Sequence, residues 1–374
     1  MILKSIGLMS GTSMDGIDAA LIETDGHGII NHIASYSLSY SDEFKLQLRD
    51  AELKVRKAKS NIASLEIVKE STELHFEAVK QLLKKANLQP NEIDLIGYHG
   101  QSLYHNPAEK ITIQIGDGQL LANLTGIKVV NDFRSEDIKN GGQGAPLAPI
   151  YHRALAIKHK LYPVAFVNCG GIANISVIPD EDINKVYGYD TGPGNVLIDR
   201  YIRDKTNNEE FMDLDGKYGL QGAVNQAVLK KLIDSIKTYL TKSPPKSLDP
   251  GDLHLIKELN KLSFNDACAT LESFTAYCIV NSFCGELPSK WILAGGGWNN
   301  PVITKYLKEF LLEKNQDIQV YKAEDIGLDG TYIEAEIFAY LAVRSYKELS
   351  ITIPSVTGAS KASYGIIQLP RTFN

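Results

Sequence analysis

The residues best suited to chemistry lie in short glycine-rich turns. The first is Gly11-Thr12-Ser13-Met14-Asp15-Gly16-Ile17-Asp18. Backbone N–H groups in such a turn can converge on phosphate oxygens, and Thr12 and Ser13 add hydroxyl donors. A tight hairpin would use the same residues. The GxxxxGK[ST] spacing of a Walker A loop is missing. A second turn, Gly170-Gly171-Ile172-Ala173-Asn174, holds the equivalent place in the second half, so the two could clamp a phosphate chain. In the third, Asp190-Thr191-Gly192-Pro193-Gly194-Asn195, a strand runs through a turn into a helical pattern, and a helix N-terminus favours anions. Asp190 is placed to act as a general base or to cap that helix. The fourth, Gly295-Gly296-Gly297, follows an apolar run and leaves room for a flat ring or a phosphate, or serves as a plain turn.

Two polar segments also follow buried strands. Tyr98-His99-Gly100-Gln101-Ser102 offers His99 to a sugar hydroxyl, and Asn131-Asp132-Phe133-Arg134 offers a guanidinium that can grip a carboxylate or phosphate in two places. A lone His or Arg at a strand end also reads as structural. The coincidence of so many turns at strand ends favours a ligand site.

The elements that would position these turns alternate between strand and helix. Apolar runs and alternations predict strands over 2–9, 18–24, 33–40, 93–98, 112–116 and 128–131, and a helical pattern covers 41–87. After helices near 117–125 and 149–158 the pattern restarts, with strands over 164–168, 173–178, 185–189, 291–294 and 318–322. Helices are expected near 195–203, 221–239, 264–283, 301–313 and 331–347. Each half reads β-β-β-α-β-α-β and opens on a glycine-containing hairpin, which suggests duplication by element order more than by letters. Residues 242–251 read as a surface loop.

The chain has 374 residues, 44% of them hydrophobic and 22% charged, a composition expected to fold into two or three globular domains. A net charge of −6 disfavours general nucleic-acid binding, which needs excess Lys and Arg. No run approaches the ~20 apolar residues of a membrane span, and no signal peptide is expected. Cys169, Cys268, Cys278 and Cys284 form no CxxC pair and are expected as small core residues in a reducing, cytoplasmic setting.

Several segments run in order along nearly the whole chain: Gly7-Leu-Met-Ser-Gly-Thr-Ser-Met-Asp-Gly-Ile-Asp18, His99-Gly-Gln101, Asp132-Phe-Arg134, Gly141-Gly-Gln-Gly-Ala-Pro-Leu147, Asn168-Cys-Gly-Gly-Ile-Ala-Asn174, Asp190-Thr-Gly-Pro-Gly-Asn195 and Gly295-Gly-Gly297. Near the C-terminus come Glu334-Ala335, Phe338-Ala339 and Pro354-Ser-Val-Thr-Gly-Ala359. Together they resemble the anhydro-N-acetylmuramic acid kinases, a branch of the sugar kinase/Hsp70/actin superfamily. The resemblance implies an α/β, duplicated ribonuclease-H-like fold of the actin/hexokinase type, with ATP in an interdomain cleft. The domains would be 1–131 plus about 335–374, and 132–334.

It also implies the reaction: water opens the 1,6-anhydro ring of 1,6-anhydro-N-acetylmuramic acid and O6 is phosphorylated from Mg·ATP, in peptidoglycan recycling. By resemblance Asp190 is the base. Phosphate binding falls to Gly11, Thr12, Ser13, Met14, Asp15, Gly16, Ile17, Asp18, Gly170, Gly171, Asn174, Gly192, Gly194, Asn195, Gly295, Gly296 and Gly297. His99, Gln101, Arg134 and Glu334 would bind the sugar, and Asp15 or Asp18 would order Mg²⁺ through water. The partners implied are the amino sugar and ATP, with no nucleic acid or membrane, in a possible homodimer. The alternatives are another amino-sugar or hexose kinase of the superfamily, or a non-enzymatic ATP-gated binding module.

Three positions depart from the family pattern. Ser135-Glu136 stand where basic residues are common, and Pro245-Lys-Ser-Leu-Asp-Pro-Gly251 replaces a PKSTGRE-like stretch. Trp298 stands where a small residue is usual, either to stack near adenine or to pack.

Overall fold

The computed structural model describes residues 1–11, 14–283 and 285–371. The chain divides into two compact units, one of Met1–Lys160 with the C-terminal residues from Tyr332 onward, the other of Leu161–Thr331. Residues 132–160, expected in the second domain, belong to the first. There Pro149–His159 packs as a helix on the sheet's third strand and on the last long helix.

The first unit opens with β1 (Leu3–Ser10), β2 (Gly16–Thr24) and β3 (Ile30–Ser39), an antiparallel meander. The helical pattern over 41–87 is two helices, α1 (Asp42–Ala58) and α2 (Leu65–Ala86). Lys59 takes a left-handed conformation that ends the first, and the Ser64 side chain accepts the Ile67 N–H to start the second. Next come β4 (Leu95–Asn106), β5 (Ile111–Ile115), α3 (Gly118–Thr125), β6 (Lys128–Asn131), α4 (Ser135–Lys139) and α5 (Pro149–His159). β4 runs well past the expected end at Tyr98, so His99 and Gln101 lie within a strand. Gly100, at φ 76°, sits where the β1–β4 register shifts.

The second unit contains β7 (Val164–Cys169), β8 (Ile172–Ile178), β9 (Tyr187–Pro193), α6 (Val196–Lys205), α7 (Gln226–Ser235), α8 (Lys237–Leu240), α9 (Phe264–Asn281), β10 (Lys290–Ala294), α10 (Pro301–Lys314) and β11 (Gln319–Lys322). The chain then returns to the first unit as α11 (Ile333–Tyr346), α12 (Pro354–Thr357) and β12 (Ile366–Gln368). β12 was not expected. It pairs antiparallel with β6 at the sheet edge.

The two sheets share one plan. The first is ordered β12-β6-β4-β1-β2-β3, with β5 paired to β4, and the second β11-β10-β7-β8-β9. In each, an antiparallel meander (β1-β2-β3, β7-β8-β9) is extended on its first strand by two parallel strands (β4 and β6, β10 and β11). This is the duplicated ribonuclease-H-like arrangement. β7, β10 and the first four residues of β4 are largely apolar and buried, as expected of strands covered on both faces.

α11 lies directly on the first sheet. A Cβ on Gly7 would fall 1.8 Å from the Ala335 carbonyl oxygen, and one on Gly97 would fall 2.0 Å from that of Phe338. The small residues Ala335 and Ala339 allow the same approach from the helix side, and Ser5 Oγ donates to the Ala339 carbonyl at 2.9 Å. Cys169, Cys268 and Cys278 are buried, as expected; Cys284 lies outside the described residues. Among the described residues no helix is long and apolar enough to cross a membrane.

Candidate active site

In the second unit the ends of β7, β8 and β9 place three polar residues side by side. Asn168 pairs with Asn174, and Asn174 pairs with Asp190. Asp190 is half-buried. Its Oδ2 accepts the Leu248 N–H at 2.9 Å, its carbonyl accepts the Tyr239 hydroxyl at 2.6 Å, and its own N–H donates to the Lys246 carbonyl at 3.2 Å. The carboxylate is thus aimed by a residue 58 positions further along the chain, and a fixed carboxylate is what a general base requires.

The two glycine turns beside this row brace each other. The Gly194 and Val196 N–H groups donate to the Gly171 carbonyl at 2.9 and 3.1 Å, and the Asn195 N–H donates to that of Gly170 at 2.8 Å. These amides at the start of α6 are therefore spent within the protein. That corrects the expectation that Gly194 and Asn195 offer them to phosphate. Gly192 and Gly194 serve packing: a Cβ would fall 2.7 Å from Cys278 Cβ at the first and 2.2 Å from the Gly170 carbonyl oxygen at the second. Gly171 is different, because a Cβ there would meet nothing within 4 Å.

The triple glycine divides the same way. Gly295, at φ 91°, lies against Asn168, and Gly297 lies against Cys169; a Cβ on Gly296 would meet open space. A cavity of about 360 Å³ opens here, lined by Gly295, Gly296, Asn299, Lys322, Glu324 and Thr331 among others. Backbone that faces open space without a Cβ fits a ligand lying on it.

In the first unit Gly11, which follows β1, is anchored from behind. Gln101, fully buried, donates to the Gly11 carbonyl at 2.6 Å and accepts the Tyr40 hydroxyl at 3.3 Å. Gln101, expected to bind the sugar, is thus engaged in holding Gly11 and Tyr40. Ser10 Oγ lies 3.0 Å from Nε2 of buried His75. Burial pushes that imidazole down to about 4, so it is neutral and accepts the serine proton. Met14 is a core residue, Ile17 is buried, and a Cβ on Gly16 would fall 2.4 Å from the Leu38 carbonyl oxygen. Thr12 and Ser13 lie outside the described residues. Asp15 is exposed, and Asp18 Oδ1 accepts the Ser37 hydroxyl at 2.6 Å.

His99 is also buried. Its Nε2 accepts from Arg134 Nε (3.1 Å) and from one terminal nitrogen of Arg134 (3.0 Å), and its Nδ1 lies 2.9 Å from the Gly100 carbonyl. Burial and the neighbouring guanidinium hold its pKa well below the usual histidine value, so the ring is neutral with its proton on Nδ1. Both ring nitrogens of His99 are engaged within the protein, and the ring orients Arg134. Arg134 also donates to the Gly144 carbonyl at 2.7 Å. Gly144 is held in turn by Asp137, whose carboxylate accepts the Gly144 N–H at 2.7 Å and the Thr357 hydroxyl at 2.8 Å. The 141–147 and 354–359 segments are thus one brace behind Arg134. Glu334 is exposed on the first turn of α11.

A polar cavity of about 270 Å³ lies beside this pair, lined by His99, Thr112, Gln114, Asn131, Asp132 and Ser135 among others. The sequence reading missed Thr112 and Gln114, although their alternation with buried Ile113 and Ile115 marks one polar face of β5.

A model of the anhydro-N-acetylmuramic acid kinase family matches residues 3–369. The chain belongs to that family. Anhydro-N-acetylmuramic acid kinase of Brucella canis is 40% identical over 372 residues, covering 97% of both chains. The namesake of Rhizorhabdus wittichii is 40% identical over 370 residues, covering 97% of this chain and 98% of its own. That of Methylobacterium nodulans is 39% identical over 381 residues, covering 97% and 98%. Among solved structures, component A of (R)-2-hydroxyglutaryl-CoA dehydratase from Acidaminococcus fermentans covers 91% of this chain and 98% of its own, at 10% identity and a TM-score of 0.49.

As an anhydro-N-acetylmuramic acid kinase family member the chain is a phosphotransferase, and its three departures from the family pattern now have structural accounts. Trp298 packs: it is 3% exposed and its indole N–H donates to the Val167 carbonyl at 3.1 Å. Ser135 donates its N–H to Asp132, and Glu136 accepts the Tyr364 N–H. The 245–251 segment carries the Lys246 and Leu248 contacts to Asp190.

Proposed function

We propose that this protein is an ATP-dependent kinase that hydrolytically opens 1,6-anhydro-N-acetylmuramic acid and phosphorylates O6, giving N-acetylmuramic acid 6-phosphate and ADP for cell-wall recycling. Family membership across nearly the whole chain carries the reading. The residue roles are inferred from the geometry of each unit.

Asp190 removes a proton from water as its oxygen bonds to the anomeric carbon. The C1–O6 bond breaks, O6 takes that electron pair and attacks the γ-phosphorus, and ADP leaves. One activation of water thus drives both ring opening and transfer. Within the second unit the row Asp190–Asn174–Asn168, with the open backbone at Gly170, Gly171 and Gly296, supports this role, since fixed amides stabilise charge on phosphoryl oxygens. The cavity against Gly295 and Gly296 suits the nucleoside. In the first unit the 11–18 turn takes phosphate oxygens. Arg134, set by His99 and Gly144, takes the lactyl carboxylate beside the polar cavity, and Glu334 reaches a sugar polar group.

Among the described residues no group of three or more His, Cys, Asp or Glu side chains could hold a metal. Mg²⁺ would be held chiefly by phosphates and water with one carboxylate, for which Asp15 or Asp18 would serve. Bound Mg²⁺ would neutralise charge developing on the phosphates.

The deciding experiment incubates the protein with Mg·ATP and the anhydro sugar in ¹⁸O-labelled water and weighs the product. A phosphorylated sugar carrying one ¹⁸O is expected. ADP formed only with N-acetylmuramic acid or glucosamine would make it an ordinary amino-sugar kinase, and no turnover with any sugar would favour a binding module.

A further inference from the structure

Lys246 lies in a Pro- and Ser-rich loop, yet it is 2% exposed. An ammonium taken out of water is costly unless dipoles replace its hydration. Here they do. Its Nζ donates to the carbonyls of Leu240 (3.2 Å), Tyr239 (3.4 Å) and Ser282 (3.4 Å). It also lies 4.9 and 5.2 Å from the ring centroids of Tyr189 and Tyr239. The cation thereby joins three segments: β9, the α8 end and the residue after α9.

Those segments converge on Asp190. Tyr189 precedes it in β9, and the Tyr239 hydroxyl donates to its carbonyl. The loop carrying Lys246 makes the other two contacts, at the Asp190 N–H and at Oδ2. Every hydrogen bond described above for Asp190 therefore comes from a residue in this cage or two positions from it.

We infer that Lys246 is a positioning residue whose buried ammonium pins the 245–248 loop and so aims the Asp190 carboxylate. The inference rests on the reading of Asp190 as the base. A general base gains its effect from a fixed approach to the proton it removes, and a misplacement of about 1 Å costs on the order of 100-fold. Lys246 itself stays out of the reaction. Its loss should lower kcat and spare binding.

The test compares the wild-type full chain with D190N, K246M and Y239F, measuring kcat, KM for ATP and for the anhydro sugar, and thermal midpoint. K246M removes the charge and keeps the stem; Y239F removes the hydroxyl bond to Asp190 and keeps the ring beneath the ammonium. K246M is expected to lose about 10- to 100-fold in kcat with both KM values within about twofold. Y239F is expected to show a smaller loss of the same kind at wild-type stability. Wild-type kcat in K246M overturns the assignment. So does a kcat loss in K246M that only tracks its folded fraction while Y239F turns over normally, and if K246M fails to fold, Y239F alone decides. Normal turnover by D190N would instead refute the base reading, and a separate variant reports it.

Discussion

Replacing His99 with Leu tests whether Arg134 is aimed at the sugar by a neutral imidazole. Leucine keeps apolar volume against Phe338, whose ring centroid lies 4.4 Å from that of His99, but removes the acceptor of two guanidinium N–H bonds at 3.1 and 3.0 Å. A hydrogen bond to a charged group contributes about 1.5–3 kcal/mol. Arg134 is only part-buried, so water can take up one of the two freed donors, and the net loss should approximate one bond. At about 1.4 kcal/mol per tenfold, that raises KM for the anhydro sugar roughly 10- to 150-fold. KM for ATP should stay within about twofold. H99Q places an amide oxygen near the lost Nε2 and should recover part of the loss. The assay is steady-state kinetics over a double-mutant cycle with R134A. If His99 acts through Arg134, H99L adds almost nothing on an R134A background. Full additivity, or a rise in KM for ATP in place of that for the sugar, would refute the reasoning.

Three further predictions follow from the same geometry. G171A and G296A should melt like wild type, because the new methyl meets nothing within 4 Å, and should raise KM for ATP several-fold; unchanged ATP kinetics would show that no ligand lies on that backbone. G97A should destabilise by about 1–3 kcal/mol in a denaturant titration, because its Cβ would fall 2.0 Å from backbone of α11, which cannot step aside as a side chain would; a neutral result would mean the helix is not seated there. E272Q should stabilise increasingly with pH. Burial, then the neighbouring Asp213, pushes Glu272 up to about 9, so between pH 4.5 and 9 the unfolded state ionises this group and the folded state does not; wild-type stability falls there by up to about 1.4 kcal/mol per unit, and the glutamine variant escapes the loss, which a flat difference in melting across pH would disprove.

Most of the strand order was legible from periodicity, because a strand buried on both faces leaves an apolar run whatever surrounds it. The failures are local and physical. α1 and α2 read as one helix because their apolar spacing nearly continues across 59–64, and only a left-handed Lys59 and a serine cap part them. β12 escaped notice because it is three residues long, with Ile366 and Ile367 exposed at a sheet edge. At the site, Asp190 and Asn174 stood out because their turns adjoin them in sequence. The roles of Gln101 and His99 did not, since their partners Gly11 and Arg134 lie 90 and 35 residues away. Lys246 was hidden by the opposite error. A lysine among prolines and serines reads as solvated, and only tertiary structure supplies the three carbonyls and two rings that bury it.

The glycines teach the more general lesson. A glycine-rich turn says that backbone must approach something closely, but not whether that something is protein or ligand. Placing a Cβ on each separates the cases. Gly7, Gly16, Gly97, Gly192, Gly194 and Gly297 would strike atoms of this protein, so their presence is explained by packing alone and lends no weight to a nucleotide site. Gly171 and Gly296 would strike nothing, and neither has the positive φ that would itself demand glycine. A residue that neither sterics nor conformation requires leaves its backbone open to a ligand, although Gly28, in the turn between β2 and β3, meets the same two conditions. In this protein those two glycines flank the Asn168–Asn174–Asp190 row, one at the turn between β7 and β8 and the other just after β10. The glycine evidence for a phosphate-bearing substrate in the second unit therefore narrows to the backbone at these two residues, out of the three glycine turns that first suggested it there.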